Sequence, residues 1–524
     1  PSWMATFGEV FGSDNRVYAL TMFSILSIVG MYLFSYEISG KNKKVGLLAS
    51  FFLAINPLHV YFSRVPLTEI VSLTFFLFSF YYLMRFYRNF REGNKEKFSL
   101  VLSLICINAL FYTRMNAVFF IPIIVLIPII SYFFGKNKLL LKYLTGYSII
   151  WISTLILSFL YYKTLIPNLY NLVVGKRLLN YLESPISVIV LISIILISIG
   201  LLFFRKTQKI VKNIIYFLYG KLSMIAIGIF FGLILYGLYF YVKEILIDNN
   251  YSIVSFNSLS YLKQLSFLTT FLYLSPIGLI LLPVSLFNLV KKRKVTISIL
   301  VISILVLLGY CWGVLRLTQY HYYFTRYQLS ELIPLCIVLI SVFLVDTSKK
   351  KFGKFLLYFT IISSTVYFGY FSGLQLRDFE GMDKTNYEYL NDVLEENDLL
   401  FVANHKFGSF NQIVLPMKYY YNINVFPMYY LSYTEKEEFI ELKKQYDDVY
   451  ILTTVSNLER LDEDSFEFIT EINFRHNYFV HCLRSKDEYF KMIGHSKDIP
   501  LCEYIIIPNR FYYGSYRVFL FRWK

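Results

Sequence analysis

The chain has 524 residues, of which 56% are hydrophobic and only 16% charged, with a mean hydropathy of +0.52. A soluble protein of that length needs far more polar surface, so the composition excludes an ordinary globular enzyme and indicates a membrane part with room for a separate domain. The formal net charge of +16 falls in short clusters between apolar runs, a pattern that encodes membrane topology and argues against a nucleic-acid partner.

From the N-terminus, Trp3, Phe7, Val10 and Phe11 recur at the spacing of one helix face. That suits a short helix along a membrane interface, or alternatively a buried first turn of the next segment. Apolar runs that approach the ~20 residues needed to cross a bilayer then follow near 17–37, 45–61, 68–88, 98–113, 116–134, 140–162, 184–204, 221–242, 266–290, 295–315, 327–346 and 353–373. The loops between these twelve predicted spans alternate in charge. One set carries clusters such as Lys41, Lys43 and Lys44, then Arg85, Arg88 and Arg91, then Lys349, Lys350, Lys351 and Lys354. The other set holds one to three bases per loop, among them Arg64, Arg114 and Arg326. The positive-inside rule places the first set in the cytoplasm and everything after about residue 374 outside.

Beyond residue 384 the sequence turns polar. Helical stretches near 384–395, 410–421 and 434–446 alternate with strand-like runs at 399–402, 424–427 and 449–452, and more strands are predicted at 476–483, 502–508 and 514–522. The fold class is thus a polytopic α-helical membrane protein with a C-terminal soluble α/β domain. Its predicted divisions are an interfacial helix and the end of an outer loop at 1–16, a transmembrane domain at 17–375, and an extracytoplasmic domain at 376–524. Cys106, Cys311 and Cys336 lie in or beside apolar segments, where packing accounts for them, while Cys482 and Cys502 in the last domain leave a disulfide open.

An ionisable residue at the mouth of a span needs a partner or a task. Three places on the predicted outer face qualify. The stretch from Asn56 to Glu69 brings His59, Arg64 and Glu69 to the turn between the second and third spans. Arg64 there reads as a phosphate-pairing arginine beside a carboxylate, or else as half of an Arg64–Glu69 pair that, with Thr68, merely caps the third span. Arg114 sits between two spans with almost no loop and faces either a cavity or the lipid headgroups. The stretch from Arg316 to Tyr327 gathers His321, Tyr322, Arg326 and Tyr327 at one membrane edge, where arginines suit bidentate phosphate contacts and tyrosines suit a sugar. An aromatic belt accounts for the tyrosines but not for Arg326 leading directly into a span. His59 and His321 are isolated from any carboxylate cluster, so no metal site and no cofactor is expected.

Four stretches together resemble the GT-C superfamily of membrane glycosyltransferases, in particular the protein mannosyltransferase and aminoarabinose-transferase-like branch. They are Phe11-Gly12 leading to Arg16; Asn56-Pro57 through Ser63-Arg64 to Glu69; the hairpin from Leu104 through Thr113-Arg114 to Pro122; and Arg326-Tyr327 running to Pro334. The resemblance covers roughly residues 1–375, and the last domain is similar to some members' tails in placement only. It implies transfer of a sugar, with inversion, from a polyprenyl-phosphate donor to an acceptor glycan, lipid or protein on the extracytoplasmic face. In such enzymes an outer-loop carboxylate serves as base and arginines stabilise the departing lipid phosphate. Carried onto this chain, the resemblance makes His59, Arg64, Arg114, His321, Tyr322, Arg326 and Tyr327 substrate-binding residues and Glu69 a supporting carboxylate. The base itself is expected upstream of Pro1, with one further span, because Glu9 and Asp14 do not sit where the motif places it. The Trp-Trp-Asp signature of the oligosaccharyltransferase branch is absent. The competing readings are a transporter or flippase of a lipid-linked or polar substrate, and a non-catalytic membrane assembly partner.

Overall fold

The computed structural model describes residues 2–114 (apart from 13, 14, 16, 17, 65–67 and 95), 138–165, 228, 231, 232, 235, 239, 253–255, 273–291, 332–377, 384–403 (apart from 396), 413, 414, 417, 418, 421–428, 440–454, 464–480, 498–500 and 510–524. The chain divides into two compact units, one of residues 1–250 and 259–372, the other of residues 251–258 and 373–524.

The first unit is helical. Its described helices are α1 (Ser2–Phe11), α2 (Tyr18–Ile38), α3 (Lys43–Ala54), α4 (Pro57–Phe62), α5 (Glu69–Arg91), α6 (Phe98–Thr113), α7 (Lys138–Leu165), α8 (Ser275–Lys291), α9 (Leu332–Thr347) and α10 (Lys351–Arg377). Among the described residues three stretches, Tyr18–Ile38, Glu69–Arg91 and Lys351–Gly373, are long and apolar enough to cross a membrane; Phe98–Thr113, Ser275–Leu289 and Leu332–Thr347 are shorter apolar helices. The run predicted as one span over 45–61 is instead broken into α3 and α4. The cause is local: a residue before proline is pushed out of the helical region, and Asn56 is extended at ψ 129°. Asn56 then caps α4, its side chain accepting from the Leu58 N–H at 3.0 Å, with Pro57 in the first turn where a missing N–H costs nothing.

Packing in this unit reverses the pattern of a water-soluble protein. On α10 the buried face carries Thr360, Ser364, Phe368 and Ser372, while Phe352, Phe355, Phe359, Ile362, Val366 and Tyr370 are exposed. On α6, Ser99, Ser103, Ile107 and Leu110 are buried, and Phe98, Val101, Ile105 and Tyr112 face outward. Small and hydroxyl-bearing side chains make the helix contacts. The Thr74 hydroxyl donates to the Phe23 carbonyl, Ser103 joins the Ser79 carbonyl to the Tyr147 hydroxyl, and Ser275 meets Ser364 at 2.9 Å. A Cβ added at Gly46 would come within 2.8 Å of the Tyr32 ring, so only glycine permits α3 to lie this close to α2. Large apolar faces that lipid can cover, with seams of small residues inside, are what bilayer packing demands. α9 is buried at every position from Leu332 to Val345, as a central helix must be.

The second unit centres on a five-stranded sheet of order β3-β2-β4-β7-β5. Its strands are β2 (Leu399–Ala403), β3 (Asn424–Met428), β4 (Val449–Thr454), β5 (Phe466–Val480) and β7 (Arg510–Trp523); a separate pair joins β1 (Ile253–Ser255) to β6 (Asp498–Pro500). β2 runs parallel to β3 and β4, while β7 is antiparallel to β4 and β5. Alternate residues fill the two faces. Leu400, Val402, Tyr450, Leu452, Val518 and Leu520 pack with Tyr387 and Leu390 of α11 (Lys384–Val393), and Leu399, Val449 and Ile451 pack with Phe466 and Trp523 on the other face. β5 starts ten residues before the predicted strand at 476–483, and the helix predicted over 434–446 ends at residue 442. The strand predicted at 502–508 lies outside the described residues.

Asp398 ties β2 to β4 where both begin. It is buried, and its two carboxylate oxygens accept from the backbone N–H groups of Glu395 at 2.8 Å and Asp448 at 3.0 Å. Asp398→Ala leaves both donors without these acceptors, at about 1–3 kcal/mol each. Amide exchange of Leu399–Ala403 and Val449–Thr454 in the full-length protein is expected to quicken accordingly. Unchanged exchange would refute the assignment.

Candidate functional site

α5 and α6 form an antiparallel hairpin whose register is marked by three contacts: Glu69 with Arg114, Ser79 with Ser103, and Arg85 with Glu96. Glu69 is the first residue of α5, and Arg114 is the extended C-cap of α6, its N–H donating to the Leu110 carbonyl at 2.8 Å. The carboxylate thus sits at a positive helix end and the guanidinium at a negative one, each favoured by its own helix dipole. Their side chains are 3% and 7% exposed, with Nη1 and Oε1 3.7 Å apart. Arg114, for which the sequence left a cavity or the lipid headgroups open, is buried. Glu69 finds a buried partner in Arg114, a pairing that sequence reasoning missed when it weighed only Arg64.

The other end of the hairpin carries a second ionic cluster. Arg88 meets the buried Glu37 of α2 at 2.9 Å, and Glu96 accepts from Arg85, Ser99 and Asn89. Glu69 and Arg88 are nineteen residues apart on one helix, about 29 Å at 1.5 Å per residue. That matches the ~30 Å hydrocarbon core of a bilayer. Sequence reasoning missed Glu37, although a lone acid at the end of an apolar run is a signal that could have found it.

Next to Glu69 the short α4 supplies His59 and leads to Arg64. His59 is 2% exposed, with Nε2 2.9 Å from the Ser27 hydroxyl, which itself donates to the Ser24 carbonyl at 2.7 Å. His59 therefore joins α4 to α2. Arg64 follows the C-cap Ser63 and is exposed, with its backbone N–H on the Tyr61 carbonyl. The corner is held from behind. The Asn56 amide donates to the Tyr273 carbonyl at 2.7 Å, and the Ser372 hydroxyl donates to the Ile55 carbonyl at 2.9 Å. Within the first unit the structure thus joins the first residue of α5 to the end of α6, and ties α4 through His59 to Ser27 of α2. His321, Tyr322, Arg326 and Tyr327 lie outside the described residues, as do Cys482 and Cys502. Among the described residues no group of three or more His, Cys, Asp and Glu side chains gathers as a metal site.

A helical unit with lipid-type packing and charges at its two ends defines the broad class. Residues 6–170 match the dolichyl-phosphate-mannose-protein mannosyltransferase family, which bears out the GT-C resemblance over the stretch that holds His59, Arg64, Glu69 and Arg114. No curated protein matches the chain. Among solved structures, it is similar to the Archaeoglobus fulgidus oligosaccharyltransferase tethered with an acceptor peptide, at 12% identity over 87% of this chain and 60% of that one, with a TM-score of 0.47. The same enzyme in complex with Zn and sulfate matches at 11% identity over 87% and 58%, with a TM-score of 0.48. The Archaeoglobus fulgidus enzyme in complex with an inhibitory peptide and a dolichol-phosphate matches at 12% over 87% and 61%, with a TM-score of 0.46. The chain therefore spans about 60% of the length of the first of these solved structures.

Removing one member of a buried ion pair strands the other charge, at about 3–5 kcal/mol. Arg114→Met is expected to lower the thermal midpoint of the detergent-solubilised protein steeply, and Glu69→Gln combined with Arg114→Met to recover most of the loss. Additive losses in the double variant would show that the two charges do not interact.

Proposed function

We propose that the chain is a multi-span membrane glycosyltransferase that moves a sugar from a polyprenyl-phosphate-linked donor to an acceptor on the extracytoplasmic face, with inversion. One observation carries this reading: the buried Glu69–Arg114 pair, flanked by α4 with His59 and Arg64, falls inside the residues that match a family of lipid-phosphate-sugar transferases. In the proposed orientation, Lys41, Lys43, Lys44, Arg85, Arg88, Arg91 and Lys97 lie at the cytoplasmic end and Glu69 and Arg114 at the outer end. The spans number about twelve, and the C-terminal sheet domain is extracytoplasmic.

The proposed division of labour follows from burial. Arg114 is held by Glu69 and organises the end of the hairpin, so its role is positional. Arg64 is exposed beside that corner and is the described arginine best suited to take the donor phosphate in a bidentate contact. A guanidinium there stabilises negative charge on the phosphate as the sugar leaves. His321, Tyr322, Arg326 and Tyr327 are proposed to complete the donor site. The acceptor hydroxyl is proposed to lose its proton to a carboxylate base, with Glu69 in support. The acceptor is a protein, a glycolipid or a cell-surface polysaccharide.

The test uses membranes holding the protein as its gene encodes it, supplied with a polyprenyl-phosphate sugar labelled in the sugar. Label is expected to pass to an acceptor with release of polyprenyl phosphate. Arg64→Ala and Arg326→Ala are each expected to reduce the rate by roughly 10²–10³-fold, the scale for losing one donor to a developing anion. Label that crosses the bilayer with its phosphate bond intact would instead establish a transporter. Neither activity, with a stable partner recovered, would establish an assembly role.

A further inference from the structure

One helix end in the first unit carries a cationic head above a long apolar face. The turn between α9 and α10 holds Lys349, Lys350, Lys351 and Lys354, all exposed. The turn is tight and hydrogen-bonded: the Ser348 N–H donates to the Leu344 carbonyl, and the Lys350 N–H to the Thr347 carbonyl. A Cβ at Gly353 would meet the Thr347 carbonyl oxygen at 1.9 Å, so only glycine lets the first turn of α10 press against the end of α9. The lysines thus stand on a fixed backbone. Asp346, half-buried in the last turn of α9, is the acid nearest to them in sequence.

Below the lysines, Phe352, Phe355, Phe359, Ile362, Val366 and Tyr370 are exposed, Phe352 at 75%. Their spacing of three and four residues makes one stripe along the helix. Lys351 lies on the same stripe, one turn before Phe355. From Phe352 to Tyr370 the stripe runs about 27 Å at 1.5 Å per residue. The opposite face, with Thr360, Ser364 and Ser372, is buried against the protein. Two other basic turns are described. The one with Lys41, Lys43 and Lys44 lacks such a stripe, because α3 exposes only Leu47 and Phe51 among its large apolar side chains. The one between α5 and α6 leads into exposed Phe98, Val101 and Ile105, but has Arg85 and Arg88 paired with Glu96 and Glu37, and Arg91 and Lys97 set over the Tyr87 and Tyr143 rings.

We infer that the α9–α10 turn is a binding site for an anionic phospholipid of the inner leaflet, the headgroup phosphate held by Lys350, Lys351 and Lys354 and the acyl chains laid along the exposed stripe of α10. Charge complementarity selects the headgroup, and the stripe beneath Lys351 selects a lipid over a soluble phosphate. The inference rests on the membrane-spanning reading and is independent of sugar transfer. It goes beyond the general bias of cytoplasmic loops toward basic residues, because it assigns the contact to one of several basic turns.

The test is native mass spectrometry of the full-length protein in detergent with equal amounts of phosphatidylglycerol and phosphatidylcholine. The wild type is expected to retain phosphatidylglycerol preferentially, and added salt to weaken that preference. Combining K349Q, K350Q, K351Q and K354Q is expected to reduce the preference by roughly tenfold or more, whereas Lys→Arg at the same four positions retains it. K41Q, K43Q and K44Q together are expected to leave it within about twofold, because those lysines lie on another turn. Should the four-glutamine variant not fold, single K351Q and K354Q variants carry the test, each with an expected loss of about fivefold. An unchanged preference in the folded α10 variants, or an equal loss in the α2–α3 variant, would overturn the site. Alkaline carbonate extraction tests the membrane reading separately: protein released from the pellet would sink that reading, and protein retained without lipid preference would sink only this site.

Discussion

In the proposed membrane setting lipid tails are as apolar as leucine, so burying apolar surface alone gives the helices of the first unit little reason to associate. What remains is close approach and polar contact, and the structure depends on both. α3 reaches α2 because Gly46 has no side chain to strike the Tyr32 ring, and α2 reaches α5 across Gly30, where an added Cβ would meet Leu77 at 3.2 Å. Where the backbones are near, hydroxyls complete the joint: Thr74 on the Phe23 carbonyl, Ser79 and Ser103 with Tyr147, Ser275 with Ser364. Each such contact is modest, at about 0.6–2 kcal/mol in a bilayer. They hold because several act together, joining α2 to α5, α5 to α6, α6 to α7, and α8 to α10.

The charges obey the same constraint in a different form. An ion at membrane depth must be paired or must reach the surface. Along α5 the ions are kept to the two ends, with Glu69 paired to Arg114 at one and Arg88 to Glu37 at the other. The candidate site uses this arrangement. Arg114 is fixed by a buried carboxylate and by the end of its own helix, while Arg64 is exposed.

Much of this was legible in the sequence because it rests on period and run length. α2, α5, α6 and α10 begin within two residues of their predicted starts, and β2, β3 and β4 begin at theirs. The break between α3 and α4 carried its own sign, Asn56-Pro57, which a hydropathy window averages away. The partner of Glu69 was not legible in the same way. Arg64 is nearer in sequence, but Arg114 is placed there by the hairpin register, which depends on how α5 and α6 pack along their whole length. The early start of β5 follows from its partner: β7 pairs with it from Phe466 to Val480 across a bulge near Phe468, a long-range ladder that no local window contains. The resemblance to GT-C transferases could be seen from the order of its motifs, yet the mutual geometry of those motifs is a tertiary fact.

The tie between Asn56 and Tyr273 spans 217 residues, and the tie between Ile55 and Ser372 spans 317. A ribosome delivers the chain from its N-terminus at about 5–20 residues per second. Helices α2 to α6 therefore enter the membrane some tens of seconds before both of those partners have been made. During that interval the α4 corner, with His59 and Arg64, is held only by its nearer neighbours, among them Ser27 of α2. The Tyr273 carbonyl and the Ser372 hydroxyl are thus late fasteners: the corner that carries the candidate site closes only after most of the first unit has been synthesised.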